Sequence, residues 1–151
     1  MMDTAMLMAA GLGKRMRPLT ATRPKPLVRV AGKPLMDHAL DRMQAGGIRR
    51  VVVNVHYLAD TVEAHLRSRR NGIEHVVSDE RAKLLETGGG LVKAKPLLGD
   101  QPFFCVNSDN IWVDGPTETF AMMRRMWDPE RMDALLLLVP LSRATCHGGQ
   151  G

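Results

Sequence analysis

Apolar residues gather along this chain in short blocks whose spacing switches between strand-like and helix-like, and the switching predicts a regular succession of elements. Residues 4–10 form a nearly unbroken apolar run that stops at Gly11-Leu12-Gly13, the pattern of a buried strand entering a glycine loop. Pro18, Pro24, Pro26 and Pro34 exclude a regular helix over most of residues 14–34 and predict an extended loop, which at that length is usually functional or disordered. Leu35, Met36, Ala39, Leu40 and Met43 then recur on one helical face, with Pro34 suited to the first helical position and Gly46-Gly47 to the end. Residues 51–55 read as a strand. Asp60-Thr61-Val62-Glu63 has capping-box spacing and starts a helix expected to reach about Arg70, where Asn71-Gly72 turns the chain into a strand over 73–77. A third helix is expected from near Thr87 to between Pro96 and Gly99, a buried strand over 103–107, a helix over 116–127 and a last strand over 133–140.

Strands and helices alternating in this order call for an α/β domain with a mainly parallel sheet and helices on both faces, expected to occupy residues 1–151 as one domain. Ligands in such folds gather beyond the carboxyl ends of the strands. The loop after Ala10, the Asn54-Val55-His56 region, the Glu86-Thr87-Gly88 region and Asp109 all fall at such ends. Cys146-His147-Gly148-Gly149-Gln150-Gly151 follows the last predicted strand with no helix to cover it, which reads as a truncation.

Composition narrows the function classes. With 44% hydrophobic and 25% charged residues in 151, the chain is expected to be a soluble globular protein. No basic segment precedes the first apolar run, and the apolar run at 134–139 is far too short to span a bilayer, so a cytoplasmic protein without membrane contact is expected. Cys105 and Cys146 suggest neither a disulfide framework nor a metal site, and the five histidines show no ligand spacing. A net charge of +5 could indicate nucleic acid, but the basic residues concentrate: Lys14, Arg15, Arg17, Arg23, Lys25, Arg29 and Lys33 lie in one stretch without any Asp or Glu. With aromatics at only 4%, a base-stacking surface is not expected, and the segment suits a compact polyphosphate better than a polynucleotide.

The richest motif is Ala9-Ala10-Gly11-Leu12-Gly13-Lys14-Arg15-Met16-Arg17-Pro18-Leu19-Thr20, followed by Pro24-Lys25-Pro26-Leu27 and Gly32-Lys33-Pro34-Leu35. Gly11 and Gly13 let the backbone approach a phosphate and offer N–H donors, Arg15 supplies a planar fork for its oxygens, and Lys25 is a point charge held between two prolines. A P-loop is disfavoured because Gly32-Lys33 runs into Pro34, and a dinucleotide fingerprint because Met16 stands where a third small residue belongs. A plain tight turn with a solvated basic loop is the structural alternative.

This run from Met8 to Leu35 resembles the N-terminal signature of the sugar-1-phosphate nucleotidyltransferases, and the resemblance extends through Asn54-Val55-His56-Tyr57-Leu58 and Glu86-Thr87-Gly88-Gly89-Gly90 to Asn107-Ser108-Asp109. It implies a Rossmann-like, doubly wound catalytic domain, here lacking its C-terminal part, that takes an NTP and a sugar 1-phosphate and uses Mg²⁺. Carried over by position, Ala10, Gly11, Gly13, Lys14, Asn54, Gly88, Gly89 and Asn107 would line the nucleotide. Arg15 would hold the departing pyrophosphate, Lys25 would bridge phosphates, and Asp109 would bind the metal; Ser108 replaces the glycine that usually precedes it. Within the family, Asn54 to Asp60 and Glu86 to Gly90 are most similar to compact bacterial N-acetylmuramate 1-phosphate uridylyltransferases and mannose 1-phosphate guanylyltransferases, so UTP or GTP is the expected nucleotide. A fragment or regulatory homologue that binds nucleotide without turnover is the alternative.

Other residues read more plainly. An isolated Asp109 would cap the next turn, Asp79-Glu80 and Glu86 would serve a helix dipole or solvent, and His56 would either reach the crevice or be a half-buried packing residue. Met122, Met123 and Met126 read as flexible core and helix-surface residues.

Overall fold

The structure, a computed structural model, describes residues 2–70 and 72–145. By its contacts the chain divides at Val113 into two units, Met1–Val113 and Asp114–Gly151.

In the first unit, β1 (Thr4–Met8) leads into the glycine loop, which is interrupted by short 3₁₀ turns at Lys14–Met16 and Lys25–Leu27 and by a two-residue hairpin of β2 (Arg29–Val30) and β3 (Lys33–Pro34). The extended loop expected over 14–34 is thus more ordered than its prolines suggest. Proline blocks an α-helix but tolerates a single turn, and Ala31 and Gly32, with φ of 51° and 77°, form the left-handed pair that a two-residue hairpin requires. Buried Pro26, Leu27 and Val28 anchor the segment.

After α1 (Leu35–Ala45) the chain runs through β4 (Arg50–Val55), α2 (Ala59–Ser68), β5 (Glu74–Asp79), α3 (Glu86–Leu98) and β6 (Phe104–Asn107). The four long strands form one parallel sheet in the order β5-β4-β1-β6. Central β4 has Val51, Val52, Val53 and Val55 all at 0% exposure, as a parallel strand covered on both faces must be. Alternation then assigns the faces. Met6 and Val52 pack with Ala94 and Leu98 of α3, and Val76 joins them. On the opposite face, Glu63, Leu66 and Arg67 of α2 share a hollow with His75 and Val77 of β5. Each fully buried Val or Leu contributes about 2 kcal/mol, so this two-sided core fixes the strands whose ends carry the site.

Three sequence expectations shift. Asp60 is not the helix cap: α2 starts at Ala59, Leu58 stands before it with φ 50°, and the amides of Thr61 and Val62 donate to the Leu58 carbonyl. The strand expected over 73–77 runs instead over Glu74–Asp79, because Asn54 and Val55 pair with Ser78 and Asp79 and draw the ladder onward; Asn71 of the preceding turn lies outside the described residues. The strand expected over 103–107 is only partly buried, since Cys105 and Asn107 are exposed.

In the second unit, α4 (Thr119–Met126) is shorter than the expected 116–127, beginning where the Glu118 carboxylate accepts the amides of Phe120 and Ala121. The strand expected over 133–140 does not form: it pairs with no strand among the described residues, and Leu136 and Leu138 are 76% and 81% exposed. An apolar run becomes a strand only where a neighbouring edge takes its backbone hydrogen bonds. Cys146, His147 and the glycines after them lie outside the described residues. No described helix is long and apolar enough to cross a membrane.

Candidate functional site

All four strands of the sheet are parallel, so their carboxyl ends, Met8, Val55, Asp79 and Asn107, lie along one side of it. The glycine loop starts from the first of these. Ala9 and Ala10 are buried at 4% exposure, and the Ala9 amide donates to the Asn54 Oδ1 atom at 2.7 Å. Gly11 is exposed. Gly13 adopts φ 61°, and a Cβ there would stand 2.9 Å from Thr20 Cγ2 and 3.2 Å from Lys25 Cβ. Glycine is therefore required twice over, by conformation and by space.

The loop is folded back on itself and pinned. The Thr20 hydroxyl donates to the Gly13 carbonyl at 2.7 Å, and the Tyr57 hydroxyl lies 2.9 Å and 3.0 Å from the carbonyl oxygens of Thr20 and Ala21. Lys14, Arg15 and Arg17, by contrast, are exposed, and no acidic side chain pairs with them among the described residues. The segment thus has a fixed backbone and free cationic tips.

Lys25, between buried Pro24 and Pro26, reaches across to the end of β6, where its Nζ donates to Asp109 Oδ2 at 2.5 Å; the two side chains are 25% and 35% exposed. Residues 84 positions apart in sequence meet here. Asn107 is exposed at the end of β6, and Ser108, buried at 5%, donates its amide to the Met8 carbonyl, tying that end to the glycine loop.

A third segment borders this side. Glu86 opens α3 with φ 58°, a left-handed conformation that costs a non-glycine residue about 1–2 kcal/mol and is typical of functional loops. Gly88 is exposed, with nothing within 4 Å of where a Cβ would stand, whereas a Cβ on Gly89 would meet Leu85 at 2.9 Å.

Asn54 and Glu80 are placed differently from the basic residues. Asn54 is 1% exposed, and its Nδ2 donates to Glu80 Oε1 at 2.9 Å. Glu80, assigned from sequence to solvent or a helix dipole, is 0% exposed, and its Oε2 accepts the Leu85 amide at 3.2 Å. Strand alternation was the available signal, since Val76, Ser78 and Glu80 share one face of β5 and its continuation. His56, half-buried as expected, donates from Nδ1 to the Glu80 carbonyl at 2.7 Å. Neighbouring Asp79 does face solvent, and the Arg81 backbone N–H, with its guanidinium, holds its carboxyl below the usual carboxylate range.

The arrangement can grip a polyanion: backbone donors and unpaired cations on one loop, with a lysine and a carboxylate beside them. Among the described residues no three His, Cys, Asp or Glu side chains gather as a metal cage. Asp109 offers one hard-oxygen ligand, which suits an ion such as Mg²⁺ that takes one or two carboxylates and fills its shell with water and phosphate oxygens.

The chain is similar to known proteins. The profile of the family described as nucleotidyl transferase matches residues 4–148. The N-acetylmuramate alpha-1-phosphate uridylyltransferase of Caulobacter vibrioides is 55% identical over 137 residues, which cover 89% of this chain and 57% of that protein. The enzyme of the same name from Neisseria meningitidis is 43% identical over 136 residues, covering 89% and 58%. The chain therefore spans little more than half the length of these relatives. Among solved structures, a UDP-glucose pyrophosphorylase from Acinetobacter baumanii superimposes with a TM-score of 0.73 at 19% identity, over 83% of this chain and 52% of that one, which shows a shared fold.

Proposed function

Because the chain belongs to the nucleotidyl transferase family, we propose that it is the nucleotide-binding part of an enzyme that transfers a uridylyl group from UTP to a sugar 1-phosphate. The observation that carries this reading is the meeting of Lys25 and Asp109 beside the glycine loop. It brings a cation and a carboxylate next to the loop that carries the backbone donors, as chemistry at a triphosphate demands. Both relatives compared above are named for uridylyl transfer to N-acetylmuramate 1-phosphate, which favours UTP over GTP and that sugar over mannose or glucose.

The chemistry needs no protein nucleophile. A phosphate oxygen of the sugar 1-phosphate attacks the α-phosphorus of UTP in line with the bond to the β-phosphate. That bond breaks, and pyrophosphate departs with its electron pair, leaving the UDP-sugar. Catalysis then rests on alignment and on neutralising developing negative charge. Gly11 and Gly13 offer backbone donors, with Ala10 and Lys14 beside them. Arg15 grips the departing pyrophosphate, and Lys25 bridges phosphates of the two substrates. Asp109 would hold Mg²⁺, which supplies further charge neutralisation when bound. Gly88, open around its Cα, and Gly89 next to it pack near the base or ribose, and exposed Asn107 also lines the nucleotide. Asn54 acts from beneath the site, through Ala9. The protein is read as cytoplasmic, with no role for nucleic acid or membrane.

Pyrophosphate release in the presence of Mg²⁺ tests the reading, with UTP or GTP against N-acetylmuramate 1-phosphate, mannose 1-phosphate and glucose 1-phosphate, alongside calorimetric NTP binding. Release with UTP and N-acetylmuramate 1-phosphate is the expected result, and preference for GTP would reassign the base. Binding without release would identify a nucleotide-binding piece whose turnover needs the further length its relatives possess. The absence of both binding and release would sink the proposal.

A further inference from the structure

The buried Asn54–Glu80 pair joins three parts of the site, and the direction of its hydrogen bonds restricts what can stand at position 80. The Ala9 amide donates to Asn54 Oδ1 at 2.7 Å, which fixes the orientation of that side chain and points Nδ2 at Glu80 Oε1, 2.9 Å away. The Leu85 amide donates to the other oxygen, Oε2, at 3.2 Å. Position 80 must therefore accept at both terminal atoms, which a carboxylate does and a glutamine cannot, because one of its two atoms is a donor. Glu80 is 0% exposed, and no basic side chain among the described residues is paired with it. A buried charge without a cation is costly. Yet α3 presses directly on the pair: a Cβ on Gly90 would stand 2.8 Å from Glu80 Oε1 and 3.1 Å from Asn54 Nδ2.

We propose that Glu80 is a positioning residue that, through Asn54, holds the start of the glycine loop and the start of α3 in fixed register, so that the phosphate-facing and base-facing segments close on one nucleotide together. The proposal rests on the nucleotidyl-transfer reading above for its consequence, while the coupling itself is a property of the fold. Ala9 lies immediately before Ala10 and Gly11, and Leu85 immediately before Glu86 and the glycines at 88–90. A slip at either amide therefore moves a segment assigned to the nucleotide, although Asn54 and Glu80 are themselves buried at 1% and 0% exposure.

The network has a reversed form. With Asn54→Asp and Glu80→Gln together, position 54 accepts from Ala9 and from the new amide at position 80, whose carbonyl accepts from Leu85. Every donor again meets an acceptor. Either single change breaks the sequence: Glu80→Gln sets a donor against a donor, and Asn54→Asp sets two carboxylates together.

Amide hydrogen exchange in ¹⁵N-labelled full chain, read separately at Ala9 and Leu85, tests the coupling without reference to activity; the KM for UTP and kcat for pyrophosphate release test its consequence. Each single variant is expected to speed exchange at both amides at least tenfold and to raise the KM for UTP about tenfold or more. The double variant is expected to restore both to within about threefold of the parent. Exchange that changes at Leu85 while Ala9 is unmoved in Glu80→Gln would overturn the proposal, as would a folded double variant no better than the singles. Where a single variant does not fold, the double variant decides alone: recovered protection at both amides supports the coupling and its absence refutes it. A parent without UTP binding or turnover would remove the nucleotidyl-transfer reading and leave the exchange result standing, so the two failures are distinguishable.

Discussion

Two regions meet on the same side of the sheet and use polar residues in opposite ways. The glycine loop carries its charges outward: Lys14, Arg15 and Arg17 are exposed, and Lys25 and Asp109 are partly so. The β4–β5 region carries its polar groups inward, with Asn54 and Glu80 at 1% and 0% exposure. Removing an exposed charge costs the fold little, whereas a buried polar group left without a partner costs the fold directly. The first region is thus free to serve a ligand, while the second serves the architecture that holds the ligand's loops. Exposure, more than residue type, separates chemistry from positioning here.

The sharpest test is Lys25→Ala. Its pyrophosphate release should fall by about 10²–10³-fold, or about 3–4 kcal/mol, as for other lost electrostatic donors. Its stability in urea should change by about 1 kcal/mol or less, since the ion pair it loses is partly solvated. A loss of activity matched by an equal loss of stability would erase the contrast. Asn54→Leu probes the other region. It strands the Ala9 amide and leaves a Glu80 oxygen without its donor, so urea denaturation should show a loss of about 3 kcal/mol. An unchanged midpoint would mean the buried pair contributes nothing to the fold.

Gly13→Ala tries to break the division from within, because it alters the exposed loop at a point where that loop is packed. With φ at 61° and Thr20 at 2.9 Å from the added carbon, it should cost about 1–2 kcal/mol in thermal or urea unfolding. The smallest effect belongs to His75, on the β5 strand. Burial, with the nearby Arg69 guanidinium, holds its pKa below the ordinary histidine value of 6.5. In the window between that lowered value and 6.5 the unfolded chain takes up a proton that the folded chain declines. Stability should therefore be fullest above 6.5 and fall as the pH drops through the window. His75→Gln should flatten that dependence, measured as the difference in urea midpoint between pH 7.5 and 5.5.

Much of this was legible along the chain. The spacing of apolar residues located every element of the parallel sheet to within a few residues, and Gly11, Gly13, Arg15 and Lys25 stood out because local rules govern them: φ at glycine, rigidity at proline, charge without a neighbouring acid. The run over 133–140 shows where such rules stop, since six consecutive apolar or small residues at 134–139 look like a strand until a pairing edge is asked for. Glu80 shows the same from the other side. Beside Asp79 it reads as one of two surface acids, and only the pairing of β5 with β4 turns one into solvent and the other into the interior.

By itself, then, the sequence determined the order of the four parallel strands and the helices between them and the composition of the glycine loop, because these depend on residues within a turn or two of one another. The tertiary structure alone decided that Lys25 meets Asp109, that Asn54 spends its amide on Ala9 and Glu80, and that the late apolar run finds no partner among the described residues. Those outcomes depend on which distant segment lies alongside. Burial and hydrogen-bond pairing belong to neighbours in space, and a neighbour 84 residues away leaves no mark on local spacing.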